Sequence, residues 1–424
     1  MTQQNVEDRD YFTDEEILKE PRGYFRHCLA RSPVYDVPGR DYMMVTGFRE
    51  CIEVVRNPED FSSIFCFSPY GAGLPLPFKP EGDDISEQIE ACRTPNDLLV
   101  SYDGDFHAAN RSILNKLFTP ARLKANEAFM REHADRLLAE LVPGGGCEVI
   151  NDFALPFATG VIADLLGIPD GDRELFMEVI AASPPIGSKV DPDDVKTLIP
   201  HFGYMSDFFE RYIRDRRANP APDVLHELAT AKYPDGSTPQ LMEIVKLAMF
   251  MFVGGRGSSS KFLATCLYFL ADLPDVQRQL RRDGKMIPAF IEEVLRLQGT
   301  TKATFRLARR NTRIGDVEVP AGTKVAVAFE AANRDPERWH NPDEFQLKRP
   351  GIREHVAFGR GVHTCAGAPL ARIEAGVVLE RFLEHCSEIT LDAKVHGEPG
   401  NRNMQFEPSY IARGLQEVNL RFTP

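Results

Sequence analysis

The sequence lacks the features that would place it in a membrane or a secretory compartment. No segment reaches the ~20 consecutive apolar residues that cross a bilayer, because Arg256 and Lys261 interrupt the most apolar region. The N-terminal stretch MTQQNVEDRDYFTDEE is acidic, and it has neither the basic start nor the apolar part of a secretion signal. We therefore expect a cytoplasmic protein with no membrane anchor.

Basic residues are outnumbered by acidic ones, and paired cysteines are missing. The 50 Lys and Arg residues against 63 Asp and Glu residues give a formal net charge of −13, which argues against nucleic acid as a partner. The eight cysteines include no CxxC pair, which argues against a zinc ribbon or a disulfide framework. Each cysteine must be judged by its own surroundings.

No Gly/Ser linker, low-complexity tract or repeat divides the 424 residues, so we predict a single domain over 1–424. Helical periodicity predicts helices over residues 112–117, 125–141, 153–166, 202–217, 241–273, 287–297 and 368–385. Strand patterns are fewer and lie at residues 42–46, 312–319, 324–329 and 418–422. Strand and helix do not alternate regularly, so the prediction is a mainly α protein with small β-sheets (α+β) rather than a doubly wound fold.

Two further segments stand apart from this helical pattern. Residues 1–35 are expected to form a polar N-terminal lead-in. Residues 64–101, rich in Pro, Gly and aromatics, are expected to form a long irregular loop. Loops of this length are usually functional or disordered, and the aromatic content argues against disorder.

The stretch MFVGGRGSSSKF, Met251–Phe262, places three glycines and three serines inside the most apolar region. Glycine inside a helix costs about 1 kcal/mol relative to alanine, so three of them need a reason. One interpretation is a loop between two helices. The other is a single helix whose backbone is left open so that another group can lie against it.

The cysteine in HVAFGRGVHTCAGAPLAR, Cys365, is surrounded by glycines and precedes an apolar helix. Glycines let the backbone wrap around the sulfur and direct N–H groups at it, and the helix N-terminus adds to this stabilisation of a thiolate. The residues alone leave two interpretations open: a thiolate metal ligand, or a reactive nucleophile. His363 suits either.

The segment FGRGVHTCAG resembles the haem-binding loop of the cytochrome P450 family and matches it at every fixed position. Glu293 and Arg296 in FIEEVLRLQ resemble the buried Glu-x-x-Arg pair of that family, and their spacing places them on one helix face. Arg338 in RDPERW resembles the arginine that joins the pair. The resemblance extends from about residue 36 to residue 422.

This resemblance implies a cytochrome P450 fold in which haem b (iron protoporphyrin IX) lies between a long distal helix, 241–273, and the cysteine loop and helix at 351–385. Cys365 would be the axial ligand of the iron, and its electron release would favour O–O cleavage. The other residues implied in haem binding are His107, Arg111, Arg306, His363, Phe358 and Gly359.

The same resemblance implies that the glycine-rich stretch lies on the distal helix, where the family pattern is Ala/Gly-Gly-x-Asp/Glu-Thr. Gly255 fits this pattern, but Gly257 replaces the acid and Ser258 replaces the threonine. Protons would then arrive through waters, the substrate or Arg256. The alternatives are a monooxygenase with such delivery, a peroxide-driven oxygenase, an oxidative-coupling enzyme, and a non-catalytic haem protein.

Position relative to the family's substrate-contacting segments gives a mostly apolar set of pocket residues: Phe65, Phe67, Tyr70, Leu98, Leu99, Val253, Ala303, Thr304, Tyr410 and Ile411. We expect a hydrophobic small-molecule substrate together with O2. A separate ferredoxin or flavodoxin with its reductase would supply electrons. The expected basic dock for that partner consists of Arg111, Lys116, Arg122, Arg353, Arg360 and Arg372.

Overall fold

Long helices and short strands form the computed structural model, which describes residue 6 and residues 9–423 apart from positions 67, 69, 72, 95, 96, 170, 173–191 and 222. The helices are α1 (Glu15–Lys19), α2 (Arg22–Arg31), α3 (Phe48–Arg56), α4 (Ser86–Ala91), α5 (Gly104–Leu117), α6 (Pro120–Leu141), α7 (Leu155–Leu166), α8 (Pro192–Ala218), α9 (Val224–Ala229), α10 (Leu241–Asp272), α11 (Pro274–Arg282), α12 (Ile287–Gln298), α13 (Phe329–Ala332), α14 (Ala368–His385) and α15 (Ala393–His396). All seven predicted helices are present; three of them, α5, α6 and α8, begin earlier than the apolar pattern does, and three others begin at the predicted residue.

The strands are β1 (Val34–Asp36), β2 (Tyr42–Val45), β3 (Phe61–Ser62), β4 (Gly146–Glu148), β5 (Thr304–Ala308), β6 (Thr312–Ile314), β7 (Val317–Val319), β8 (Lys324–Val327), β9 (Glu388–Leu391) and β10 (Asn419–Thr423). They form a five-stranded sheet in the order β1-β2-β8-β5-β3, a three-stranded sheet β4-β10-β9 and the hairpin β6-β7. Only β2 and β8 pair in parallel within the described sheets. The prediction of a mainly helical fold with small sheets is confirmed.

Helix α10 is the longest helix in the described part of the chain, and it runs through the glycine-rich stretch without interruption. It begins at a capping box in which the backbone N–H of Gln240 donates to Glu243 Oε2 at 2.7 Å. Apolar side chains on both sides of the glycines are buried, including Phe252 and Phe262, and their burial offsets the helix-breaking tendency of glycine. The interpretation of a loop between two helices is therefore wrong.

The N-terminal segment is more than a polar lead-in. Tyr11, Phe12, Tyr24 and Phe25 are buried and pack into one hydrophobic cluster with the five-stranded sheet, and the Tyr11 hydroxyl donates to the carbonyl oxygen of Tyr410 at 2.8 Å. The expectation of a polar lead-in therefore does not hold for the described residues from 9 to 35, because their aromatic side chains cover the sheet. On α2 the buried residues Tyr24, Phe25 and Cys28 lie on one helix face.

The segment 64–101 is mostly irregular, as predicted, but it contains the short helix α4 and a 3₁₀ turn at Leu99–Ser101. Ile64 and Phe65 at its start pack with Ile85 and Ile89 and with Leu307 of β5. The loop is therefore tied to the five-stranded sheet by its own apolar side chains. In the part of the chain that is described, no helix combines the length and apolar character needed to span a membrane.

Candidate active site

The loop before α14 wraps tightly around Cys365. Gly359 and Gly361 have φ angles of 65° and 75°, a left-handed conformation that glycine adopts without strain. A Cβ on Gly361 would lie 2.3 Å from the carbonyl oxygen of Val55, so the loop can approach α3 this closely only with glycine there. The Cys365 amide donates to the Phe358 carbonyl at 2.9 Å, which closes the loop beneath the sulfur.

Cys365 is a free thiol that solvent can reach, although protein surrounds it in most directions. Burial raises the pKa of the Cys365 thiol, whereas the backbone N–H groups of Gly367 and Ala368 and the guanidinium groups of Arg111 and Arg372 act to lower it. These N–H and guanidinium groups would stabilise a Cys365 thiolate when a bound metal cation balances the negative charge of the sulfur. The sulfur is thus both accessible and framed by N–H donors, as a thiolate metal ligand requires.

Four basic side chains, here called the basic cluster, converge beside this loop: His107, Arg111, Arg306 and His363. The His107 and His363 rings lie 4.1 Å apart between centroids. Burial and then Arg111 lower the pKa of His107 to about 4, while burial and then Arg306 lower the pKa of His363 to about 2. Such a concentration of basic groups favours the binding of anionic ligands.

The basic cluster also has unsatisfied hydrogen-bonding capacity. His107 Nε2 is buried and has no hydrogen-bond partner in the described part of the chain, whereas buried polar atoms are normally paired. His363 Nε2 lies 3.0 Å from the hydroxyl of Ser63, and no hydrogen bond joins it to Cys365 among the described residues. His363 therefore does not form a nucleophile–base pair with the cysteine, which disfavours the nucleophile interpretation.

Asp103, which sequence reasoning missed, fixes the helix that carries His107 and Arg111. Its carboxylate lies at the N-terminus of α5 and accepts hydrogen bonds from Ser62 Oγ at 2.6 Å, the Ser63 amide at 2.9 Å, and the side chains of Arg93 at 2.9 Å and Arg309 at 2.7 Å. These bonds connect the start of α5 to the 64–101 loop, to the end of β3 and to the residue that follows β5. An aspartate before a helix resembles an ordinary N-cap in sequence, so nothing in the sequence indicated that Asp103 binds side chains from several other segments.

On the distal helix the three glycines face different surroundings. Among the described residues, a Cβ on Gly254 or Gly257 would meet no atom within 4 Å, but one on Gly255 would lie 3.3 Å from Ile162 of α7. Gly254 and Gly257 therefore leave open space beside the helix, while Gly255 lets α7 approach. The Ser258 hydroxyl donates to the carbonyl of Gly254 at 2.5 Å, and burial lowers the pKa of Arg256.

The buried pair Glu293 and Arg296 forms as predicted, with Arg296 Nη2 2.8 Å from Glu293 Oε1. The predicted third member is wrong. Arg349 fills that role, since its Nε donates to both oxygens of Glu293 at 2.9 and 3.1 Å. Arg338 instead pairs with Glu354 at 2.6 Å and lies over the Trp339 ring at 4.3 Å. Both arginines follow the helix at similar distances along the sequence, and only the path of the chain distinguishes them.

The predicted pocket residues fall into several neighbouring packing groups. Ala303, Tyr410 and Ile411 belong to the cluster around Tyr11 and Phe12. Phe65 packs with α4, and its ring lies 5.4 Å from that of Tyr70, which is 38% exposed.

Leu99 and Val253 belong to the large helical core, with Leu99 buried and Val253 partly buried. Leu98 is partly buried. The Thr304 hydroxyl accepts a hydrogen bond from Arg306 at 3.1 Å, which couples one predicted pocket residue to the basic cluster. Phe67 lies outside the described residues.

Comparison with known proteins is consistent with this geometry. The cytochrome P450 family model matches residues 184–398. Cytochrome P450 144 of Mycobacterium tuberculosis is 30% identical over 98% of this chain and 92% of its own length, and the cytochrome P450 monooxygenase PikC of Streptomyces venezuelae is 30% identical over 96% and 92%. The substrate-free structure of cytochrome P450 CYP150A6 from Mycobacterium marinum superposes with a TM-score of 0.91 at 42% identity, covering 99% of this chain and 100% of that one.

Cys365 and the basic cluster fit the haem group that this family carries. An accessible thiol framed by N–H donors suits the iron, and a basic cluster with an unpartnered buried histidine nitrogen suits two carboxylates. Bound haem supplies oxygen activation, which a thiolate ligand promotes. By its fold and by its full-length similarity to these relatives, the chain belongs to the cytochrome P450 family of haem-thiolate monooxygenases.

Proposed function

We propose that this protein inserts one atom of O2 into a hydrophobic small molecule, using haem b ligated by Cys365. The observation that carries the proposal is the accessible Cys365 thiol beside the basic cluster. Cys365 would ligate the iron, and His107, Arg111, Arg306 and His363 would bind the propionates. Phe358, whose ring lies 4.7 Å from the Arg372 guanidinium carbon, would pack beside the haem and hold the cysteine loop in place.

The predicted pocket residues favour an apolar substrate. Phe65, Leu99, Val253, Ala303 and Ile411 are apolar side chains, buried or partly buried, and the Thr304 hydroxyl accepts a hydrogen bond from Arg306. Tyr70 is exposed, and the Ser258 hydroxyl, which donates to the Gly254 carbonyl, can still accept a hydrogen bond, so these two side chains would orient a substrate. We therefore propose ring-containing hydrophobic molecules with one or two polar groups as the substrate class.

We expect hydrophobic ligands to displace water from the haem iron of the purified protein. Titrating terpenoids, steroids, aromatic acids and fatty acids against the ferric protein should shift the Soret band from its low-spin to its high-spin position for the matching class. A saturable shift followed by ferredoxin-driven turnover supports the monooxygenase. A shift with turnover only on addition of peroxide supports the peroxide-driven alternative, which the missing acid at Gly257 favours. If neither the spectral shift nor turnover occurs, the proposal is contradicted, and the alternative of a non-catalytic haem protein is left.

We further propose that the electron donor docks on the face behind the cysteine loop. Of the six basic residues expected there, Arg372 is committed to Glu292 at 2.6 Å and Arg122 pairs with Glu227. Lys116 and Arg353 are exposed, and Arg360 donates to backbone carbonyls on this loop. Arg56, at the end of α3, joins them as a member that the sequence did not suggest. It is exposed, and after burial it is the largest influence that lowers the pKa of Arg360.

Reversing the charge of Arg56 should weaken reduction by an acidic ferredoxin. Arg56→Glu is expected to lower the second-order rate of haem reduction about tenfold at low salt, and the difference should shrink as ionic strength rises. Arg278→Glu on α11 serves as the control, because Arg278 pairs with Asp275 on its own helix. Peroxide-driven turnover should be the same in all three proteins. Equal reduction rates for Arg56→Glu and the wild type would exclude this face as the dock.

A further inference from the structure

A salt bridge joins the distal helix to a hairpin near the C-terminus. Lys261 Nζ of α10 donates to both carboxylate oxygens of Glu407, at 2.5 Å to Oε2. Glu407 lies on residues 405–416, here called the C-terminal hairpin, whose two arms pair at Phe406 and Leu415. The two charged side chains are 19% and 26% exposed, so solvent screens their attraction only in part. The pair therefore holds the hairpin against the helix.

The C-terminal hairpin also approaches Lys261 through Gly414. A Cβ on Gly414 would lie 2.9 Å from both Cδ and Nζ of Lys261, so only glycine lets the hairpin come this close without displacing the lysine. The Gly414 carbonyl accepts a hydrogen bond from the Glu407 amide at 2.9 Å, which places the glycine of one arm opposite the glutamate of the other. Both arms of the hairpin therefore contact the lysine side chain.

Lys261 belongs to the face of the distal helix that borders open space. Gly254, Gly257, Ser258 and Lys261 follow the i, i+3, i+4, i+7 spacing of residues on one helix face. Side chains added at Gly254 and Gly257 would meet no atom of the described residues within 4 Å. The salt bridge at one end of this face therefore fixes how far the C-terminal hairpin lies from the open space beside Ser258.

The tip of the C-terminal hairpin carries Tyr410 and Ile411, two of the predicted pocket residues. Ser409 Oγ accepts hydrogen bonds from the amides of Ile411 at 3.2 Å and Ala412 at 2.9 Å, which fixes the conformation of the tip. The Ile411 carbonyl accepts a hydrogen bond at 2.7 Å from the amide of Lys302, in the segment that leads into β5. The hairpin is thus attached to the sheet at its tip and to the distal helix through Lys261.

We propose that Lys261 and Glu407 are positioning residues that set the distance between the distal helix and the C-terminal hairpin, and that this distance determines which hydrophobic substrates fit and which of their carbon atoms is oxygenated. Neither side chain takes part in the chemistry. Both act through Tyr410 and Ile411, whose place relative to Ser258 depends on the salt bridge. This inference rests on the proposed monooxygenase function, because the selection is expressed in substrate binding and in the ratio of products.

The first test reads the position of the hairpin and needs no turnover. In the haem-bound protein, Lys261→Met keeps most of the side-chain length and removes the charge, so the amides of residues 405–416 should exchange with deuterium about tenfold faster. Combining Lys261→Glu with Glu407→Lys should restore slow exchange, because the pair is re-formed with its charges exchanged. Unchanged exchange in Lys261→Met would overturn the proposal.

Arg402→Met is the matched control for the exchange experiment. Arg402 Nε donates to Asp272 Oδ1 at 2.8 Å, so this pair also joins the distal helix to the chain before the hairpin, but it does so at the last residue of the helix. The two side chains of this pair are shielded from solvent to a similar degree as those of Lys261 and Glu407. Arg402→Met should leave the exchange of residues 405–416 unchanged, and an equal increase in both variants would overturn the specific role of Lys261.

The second test measures substrate selection with testosterone, geraniol and lauric acid as probes. For the probe that the wild type binds most tightly, Lys261→Met and Glu407→Gln should each raise the dissociation constant about tenfold and change the ratio of product regioisomers, and the double variant should be no worse than either single one. Gly414→Ala should act in the same direction, because the added methyl group displaces Lys261. The charge-exchanged double variant should recover the wild-type product ratio.

The carbon monoxide difference spectrum should stay that of the wild type in all of these variants, which separates a change in substrate position from damage to the haem site. Unchanged dissociation constants and product ratios in both Lys261→Met and Glu407→Gln would overturn the positioning role and leave the monooxygenase intact. A wild type that neither binds nor converts hydrophobic molecules would instead overturn the proposed function, and with it the selection, whereas the exchange experiment would still decide whether the salt bridge holds the hairpin.

Discussion

Replacing Cys365 with histidine should abolish oxygen insertion while leaving haem bound. The basic cluster is untouched by this change, so the groups proposed to bind the propionates remain, and the side chain at position 365 is accessible to solvent. A neutral imidazole does not release electrons to iron as a thiolate does. It also leaves Arg111 and Arg372, which stabilise the negative sulfur, without the charge they face.

The carbon monoxide difference spectrum of the reduced protein measures this change. Thiolate ligation gives a red-shifted Soret band, and the Cys365→His variant should show the band of histidine-ligated haem and product at background level. Cys147→Ser is the matched control, because Cys147 lies on β4 in the three-stranded sheet. That control should keep both the wild-type spectrum and its turnover. Full activity in Cys365→His would refute the assignment of the axial ligand.

The sequence was most informative at positions whose backbone conformation only one or two residue types can adopt. A cysteine framed by glycines that must adopt φ angles near 65–75° has one geometry available, and the loop around Cys365 formed as expected. The amphipathic and apolar helices were equally readable, because burial of a face with period 3.6 leaves a direct trace in the residue order. The continuous helix through Gly254–Ser258 resolved an ambiguity that propensity alone left open.

The sequence was least informative where a charged side chain had to choose among distant partners. Asp103, Arg349 and Glu374 all act across long separations: Asp103 contacts Arg309, Arg349 contacts Glu293, and Glu374 contacts Ser259. Nothing near each residue indicates its partner, since the contact depends on how the chain folds back. The two arginines near Glu293 show this most clearly, because the wrong one was preferred on motif position.

The bonds from Arg349 to Glu293 should contribute strongly to the stability of the protein. Arg349→Ala should lower the free energy of unfolding of the holoprotein by about 3–5 kcal/mol, because it leaves Glu293 buried with one of its two cationic partners removed. The Arg349 side chain is 3% exposed and that of Glu293 is fully buried, so water cannot replace the lost bonds. Arg349 also donates to the carbonyls of Glu344 at 2.7 Å and Asn341 at 3.2 Å, and Asn341 has a left-handed φ of 45° that these bonds help to hold.

Arg338→Ala is the matched control for this prediction and should cost only about 1–2 kcal/mol. Its partner Glu354 has a side chain that is 63% exposed, and an ion pair of this kind contributes up to about 1 kcal/mol, to which stacking on Trp339 adds a similar amount. Urea unfolding of both variants, followed by helix content and by release of haem, gives the comparison. Equal losses, or a larger loss for Arg338→Ala, would return the third position of the Glu293–Arg296 network to Arg338. A larger loss for Arg349→Ala identifies it as the residue that fixes the chain leading into the cysteine loop.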